Sequence, residues 1–138
     1  MTNVTATLVF DSWIDESPER RGRKSEGRHL IYESDGILLD LLLKQAADES
    51  CIQVGGQILV ADLSMGSAAG IVVQMKNGEQ QRITQTNALG EFVFPSVPRL
   101  VFDLCFAFSN QSMHVRGVSF DEPHQWQVVP MMDARGAI

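Results

Sequence analysis

The sequence predicts an all-β fold: a two-sheet antiparallel sandwich with an N-terminal β extension. Three observations carry this. First, short runs alternating apolar and polar residues recur, with polar turn signals roughly every 8–12 residues. Second, Leu100–Phe108 separates into two faces. Phe102, Leu104, Phe106 and Phe108 share one; Val101, Asp103, Cys105 and Ala107 share the other. A period of two is the mark of a strand. At about 1.5–3 kcal/mol for each large apolar side chain fully buried, the phenylalanine face must be core. Third, the stretch Thr86-Asn87-Ala88-Leu89-Gly90-Glu91-Phe92-Val93-Phe94 reads as strand end, tight turn, strand start. Asn87 and Gly90 shape that turn, Gly90 by supplying a positive φ. Phe92 and Phe94 then alternate onto one face.

The elements follow in order. Residues 4–12 alternate Val4, Ala6, Leu8 and Phe10 against more polar neighbours, which predicts a strand. Residues 15–28 are polar and hold Arg20, Arg21, Arg23, Lys24 and Arg28, five of the chain's 11 basic residues, among several acids. This segment reads either as a solvated loop or as a patch for an acidic partner. His29–Glu33 is a second strand and Ser34-Asp35-Gly36 a hairpin turn. Residues 37–47 have helical propensity, but the turn before them favours a strand. Cys51–Ala61 is the next strand, and Gly55-Gly56 in its middle suggests a bulge or a close backbone approach. Residues 62–70 form a small-residue loop. Ile71–Lys76 and Gln80–Gln85 are joined at Asn77-Gly78, a strong hairpin signal. Strands at Glu91–Phe94, Leu100–Phe108, Val115–Phe120 and Gln125–Val129 complete the set, and residues 131–138 read as a tail.

Composition bounds the rest. A chain of 138 residues with 44% apolar and 20% charged residues makes one domain, or one domain with an extension. The net charge of −6 argues against nucleic acid as a partner. The N-terminus has no basic leader and no long apolar core. No run approaches the ~20 apolar residues of a membrane helix. A cytoplasmic location is therefore expected. Cys51 and Cys105 either bridge the two sheets or stay free in a reducing compartment, and free thiols are favoured.

Several motifs occur together and in order. They are Gly56-Gln57-Ile58-Leu59-Val60, Ala68-Ala69-Gly70-Ile71-Val72-Val73-Gln74-Met75, the Thr86–Phe94 turn, Val97-Pro98, and Leu100-Val101-Phe102-Asp103-Leu104-Cys105-Phe106. This series resembles the carboxypeptidase regulatory-like family over about residues 51–120. Residues 6–12 and 28–44 also resemble stretches that precede such modules in uncharacterised bacterial proteins. The resemblance implies a transthyretin-like, immunoglobulin-like sandwich over residues 51–130, with residues 1–50 packed on it as a β extension. Asn87 stands where the family usually has Asp, Phe102 where it has Tyr, and the Gly after the Pro turn is missing. Such modules accompany enzymes, transporters and surface proteins alike, so the resemblance implies no activity.

The sequence shows no catalytic pattern. His29, His114 and His124 show no metal-ligand spacing, though His114 and His124 can meet across strands. The hydroxyisourate hydrolases of similar architecture end in Tyr-Arg-Gly-Ser, whereas this sequence reads Asp133-Ala134-Arg135-Gly136-Ala137-Ile138. No nucleophile elbow, phosphate loop or calcium loop is present. No enzyme activity, cofactor or metal is expected.

The expected role is that of a non-catalytic interaction module. It binds protein through a sheet edge, which also permits self-association, or through the loops at residues 20–28 and 62–70. The alternative is carbohydrate binding. His124 and Trp126 combine an aromatic ring with neighbouring amides, which suits a sugar; Trp126, like Trp13, equally suits a place over the end of the core.

Overall fold

The computed structural model of the chain describes residues 2–15, 27–61 and 66–123. These residues form ten strands and one short helix. They are β1 (Thr2–Thr5), β2 (Thr7–Asp11), α1 (Ser12–Asp15), β3 (Arg28–Ser34), β4 (Ile37–Gln45), β5 (Cys51–Val60), β6 (Val72–Asn77), β7 (Gln80–Gln85), β8 (Glu91–Pro98), β9 (Phe102–Ala107) and β10 (Gln111–Val118). One sheet runs β1-β10-β9-β6-β7 and the other β2-β3-β4-β5-β8. The fold is a two-sheet β-sandwich. Every neighbouring pair is antiparallel except β1 with β10, which is parallel.

The inner faces share one core. Leu39, Leu41 and Leu43 of β4 and Ile52 and Val54 of β5 are fully buried with Val73, Phe106, Met113 and Val115 of the other sheet. Phe92 and Phe106 meet across the sandwich with ring centroids 5.5 Å apart. Phe92, Phe94, Phe102 and Leu104 are buried together, as their alternation requires.

Residues 37–45 are a strand because the hairpin before them is tight. Asp35 and Gly36 both take positive φ, 33° and 81°. Positive φ at both loop positions is the type I′ arrangement that matches strand twist. β4 then sends Ile37, Leu39, Leu41 and Leu43 inward. Pairing with β5 continues over nine positions, from Ile37↔Val60 to Gln45↔Ile52. Strands from before residue 51 therefore stand in both sheets.

Several boundaries move. Residues 4–12 are two strands rather than one. The chain crosses from one sheet to the other at buried Ala6, whose N–H donates to the His114 carbonyl at 2.9 Å. The loop of the β6–β7 hairpin is Gly78-Glu79, not Asn77-Gly78; Asn77 closes the ladder opposite Gln80. Only Gly78 of the loop has positive φ, 62°, as when glycine leads a type II′ turn. β9 begins at Phe102, leaving Leu100 and Val101 exposed. β10 starts at Gln111, not Val115, because Phe108 N–H bonds to the Gln111 carbonyl at 2.8 Å across a two-residue Ser109-Asn110 loop. β8 runs through Pro95 to Pro98, which an edge strand tolerates. The irregularity in β5 falls between Ile52 and Val54 and not at the glycine pair. Residues 125–129 and 131–138 lie outside the described residues. Among the described residues no helix is long and apolar enough to cross a membrane.

Arg28 is not part of a solvated loop. It opens β3 with 1% exposure and pairs with Asp11, at 0%. Its Nε donates to Asp11 Oδ1 at 3.1 Å and its Nη2 to Oδ2 at 2.6 Å. Nη1 donates to the carbonyls of Ser119 and Glu122, at 3.1 and 2.7 Å. The guanidinium lies 4.2 Å from the centre of the Trp13 ring. Trp13 in turn packs on Phe120 at 5.5 Å, so it covers the end of the core.

Two predictions follow from this packing. Removing one partner of a buried pair strands the other charge, so Asp11→Ala or Arg28→Ala alone should cost about 3–5 kcal/mol in urea unfolding. The double variant Asp11→Leu/Arg28→Met should lose clearly less than the two single losses added. The second concerns buried Tyr32. Burial raises its pKa well above the usual phenol value; the nearby Asp11 charge adds to this and Arg28 opposes it. The unfolded chain then ionises first, so stability is intact below about pH 10 and falls as pH rises beyond it. Tyr32→Phe should flatten that alkaline loss in unfolding curves taken between pH 8 and pH 11.

Candidate functional site

The sequence-proposed binding residues His124, Trp126, Arg20, Arg21 and Arg23 lie outside the described residues. Of the four predicted turn residues, Gly78, Asn87 and Gly90 stand in turns, whereas Asn77 ends β6 and pairs with Gln80. Asn87 organises the turn before β8: its Oδ1 accepts the N–H groups of Leu89 and Glu91, both at 2.9 Å. Gly90 has φ 81° and sits so close to β5 that a Cβ would stand 2.5 Å from the Ile58 carbonyl oxygen. That turn locks β8 onto β5 through the Ile58 N–H to Gly90 carbonyl bond of 2.9 Å.

The outer faces of the two sheets carry the side chains available for chemistry. On the sheet of β10, β9 and β6, Cys105 stands directly opposite His114. The thiol sulfur is 4.0 Å from His114 Nε2, and the same nitrogen is 3.3 Å from Asn3 Oδ1. Gln74, Lys76, Asp103 and Arg116 complete a hollow of about 270 Å³. A thiol relay needs one imidazole nitrogen for the thiol and the other for an orienting group. Here a single nitrogen faces both. Burial also pushes the Cys105 thiol up, against the lowering effects of the Ser112 hydrogen bond, Arg116 and Lys76. The pair therefore lacks the depressed pKa of an activated thiolate. Cys105 points away from the core and cannot bridge the sheets; both cysteines are free. His114 meets Cys105, a pairing the sequence reading did not anticipate.

On the opposite sheet, His29 Nε2 lies 2.5 Å from Asp40 Oδ1, with the His29 ring edge-on to Phe10. Sequence reasoning missed this pair, although the Asp35-Gly36 hairpin fixes it. That loop sets Ile31 opposite Asp40 and His29 opposite Leu42, making His29 and Asp40 diagonal neighbours. Asp40 also borders a wide groove of about 670 Å³ over β4, β5 and β8, floored by Gly55 and reaching Thr84 and Gln85 of β7. Among the described residues no three His, Cys, Asp or Glu side chains gather as metal ligands would.

Among the described residues the two sheets end in four unpaired edge strands, β1, β7, β2 and β8. β8 carries Pro95 and Pro98, which deter strand addition. β1 has four residues, and β2 is broken by an irregularity at Leu8/Phe10. β7 is the open one: six residues, no proline, one charge at Arg82, and Ile83 59% exposed.

No family model, curated protein or solved structure matches the chain.

The thiol geometry makes a prediction. Cys105 should alkylate with iodoacetamide more slowly at neutral pH than an exposed peptide thiol, and its rate should keep rising above pH 9. Arg116→Ala, which removes a charge favouring thiolate, should slow it further, as followed by intact mass.

Proposed function

We propose that the chain is a non-catalytic interaction module that takes an extended segment of a partner protein along the free edge of β7. The observation that carries this reading is the hydrogen-bonding state of that edge. A two-residue loop makes Asn77 and Gln80 a hydrogen-bonded pair, and such pairs alternate along the ladder. The Thr86 N–H to Ile71 carbonyl bond of 2.9 Å continues the same series. Gln80, Arg82 and Thr84 thus spend their backbone groups on β6. Gln81, Ile83 and Gln85 direct theirs outward, ready for an added strand. The other edges are short, kinked or proline-bearing, which leaves β7 as the edge best suited to pairing. Self-association is the same act with a second copy as partner.

The motif series of residues 51–120 supports a carboxypeptidase regulatory-like module as the setting, since such modules serve what they are attached to. Two free thiols suit the reducing conditions of a cytoplasm.

Ile83→Pro tests the reading, because it removes one outward N–H and spares every bond to β6. A partner captured by the wild type, identified by mass spectrometry and titrated as a pure protein, should bind the variant at least tenfold more weakly. The melting temperature should change by only a few degrees. Unaltered affinity would defeat the β7 reading, and tight retention on a polysaccharide column would favour carbohydrate binding instead.

A further inference from the structure

The two adjacent glycines of β5 have different reasons to be glycine. At Gly56 a Cβ would stand 2.7 Å from the Phe92 ring and 2.9 Å from the Asp40 carbonyl oxygen. The fold itself excludes a side chain there. At Gly55 a Cβ would meet nothing nearer than the Phe92 carbonyl oxygen at 3.9 Å, and its φ is not in the left-handed region. Glycine weakens a strand interior. Gly55 therefore carries a cost that neither packing nor backbone conformation explains. What its missing side chain does is keep a hollow open on the outer face.

The sheet register lays out that hollow. Leu42, Gly55 and Val93 form one cross-strand row. Asp40, Gln57 and Glu91 form the next. With strands about 4.8 Å apart, the backbones of Leu42 and Val93 stand about 10 Å apart, with no side chain between them. Leu42 and Val93 are both substantially exposed, at 37% and 45%. One row away the two carboxylates flank an amide. Asp40 uses one oxygen on His29, and Glu91 uses one on the Asn87 amide, at 3.0 Å. Among the described residues the lining holds these two acids and no lysine or arginine; Lys44 stands one row further off, beside Gln53.

We infer that this hollow receives an arginine side chain from the partner's extended segment, its stem lying over Gly55 between Leu42 and Val93 and its guanidinium meeting Asp40, Gln57 and Glu91. An arginine stem buries its methylenes against apolar walls while its planar fork reaches acceptors beyond them. A bidentate guanidinium–carboxylate pair is among the stronger charge-assisted contacts. The groove continues to Thr84 and Gln85 of β7, so a segment leaving the β7 edge runs into it. The inference rests on the protein-binding reading and adds the chemistry of the partner.

The test is an amide-shift NMR titration of the whole chain with a capped five-residue peptide, valine- and threonine-rich, with one central arginine. Saturating shifts are expected at Leu42, Gly55, Gln57 and Val93. The same peptide with norleucine or glutamate in place of arginine should bind at least tenfold more weakly, and cellobiose should give no shifts there. Gly55→Val, which suits an exposed strand, should keep or raise the melting temperature and weaken the arginine peptide at least tenfold. Asp40→Asn/Glu91→Gln should weaken it comparably and flatten its salt dependence. Ile83→Pro should leave shifts at the hollow in place, which separates this site from the edge. Absence of saturating shifts, equal binding of the norleucine peptide, or unchanged affinity in both hollow variants would overturn the inference. Dependence of partner capture on β7 would still stand in that case.

Discussion

The buried pair of Arg28 and Asp11 is the interaction on which the sandwich depends. It joins three separate parts of the chain: the end of β2, the start of β3, and the carbonyls that follow β10. A charged pair removed from water gives back its desolvation cost only when geometry and extra hydrogen bonds are good. Both conditions are met. The guanidinium makes a two-point contact with the carboxylate, its Nη1 donates to main-chain oxygens, and its face lies on Trp13. Asp11 Oδ1 also accepts the main-chain N–H of Trp13 at 3.0 Å, holding the turn into α1. Since an incorrect register would leave both charges buried and unmatched, the pair selects one arrangement of the two sheets at this end.

The opposite end is held differently. There the Asn87–Gly90 turn ties β8 to β5 through backbone contacts that admit no side chain at Gly90. Back at the Arg28 end, a second cation closes the flank. Arg99 makes a two-point pair with Asp121 at 2.8 Å and lies 4.9 Å from the Phe120 ring. This pair is partly exposed, so solvent screens much of its strength. Asp121 is accordingly held below the usual carboxylate range, chiefly by its hydrogen bonds from Arg99. Its contribution is present above that range and fades as pH falls through the lowered value.

The inner faces are filled by leucine, valine, isoleucine and phenylalanine, leaving polar chemistry to the outer faces and edges. β7 overhangs the core, with polar residues at most positions on both faces. The hollow over Gly55 and the thiol–imidazole pair lie on opposite outer surfaces of the sandwich. They have nothing in common except cross-strand register, which brings together residues distant in sequence without any local motif.

Much of the fold was legible in the chain itself. Alternation in Phe102–Phe108 and at Phe92 and Phe94 fixed which residues are buried, because a strand's two faces separate at every second residue. Asp35-Gly36 and Gly78 marked their hairpins because few residues accept positive φ. Even the His29–Asp40 pair was implicit once the hairpin loop length set the register. Tertiary structure alone decided the rest. Ala6 as the crossing point, the parallel seat of β1 on β10 and the burial of Arg28 depend on partners over 90 residues away. A basic residue next to four others reads as solvated until its carboxylate is found. The difference between Gly55 and Gly56 is likewise invisible in sequence, since it is set by where the Phe92 ring falls on the neighbouring strand.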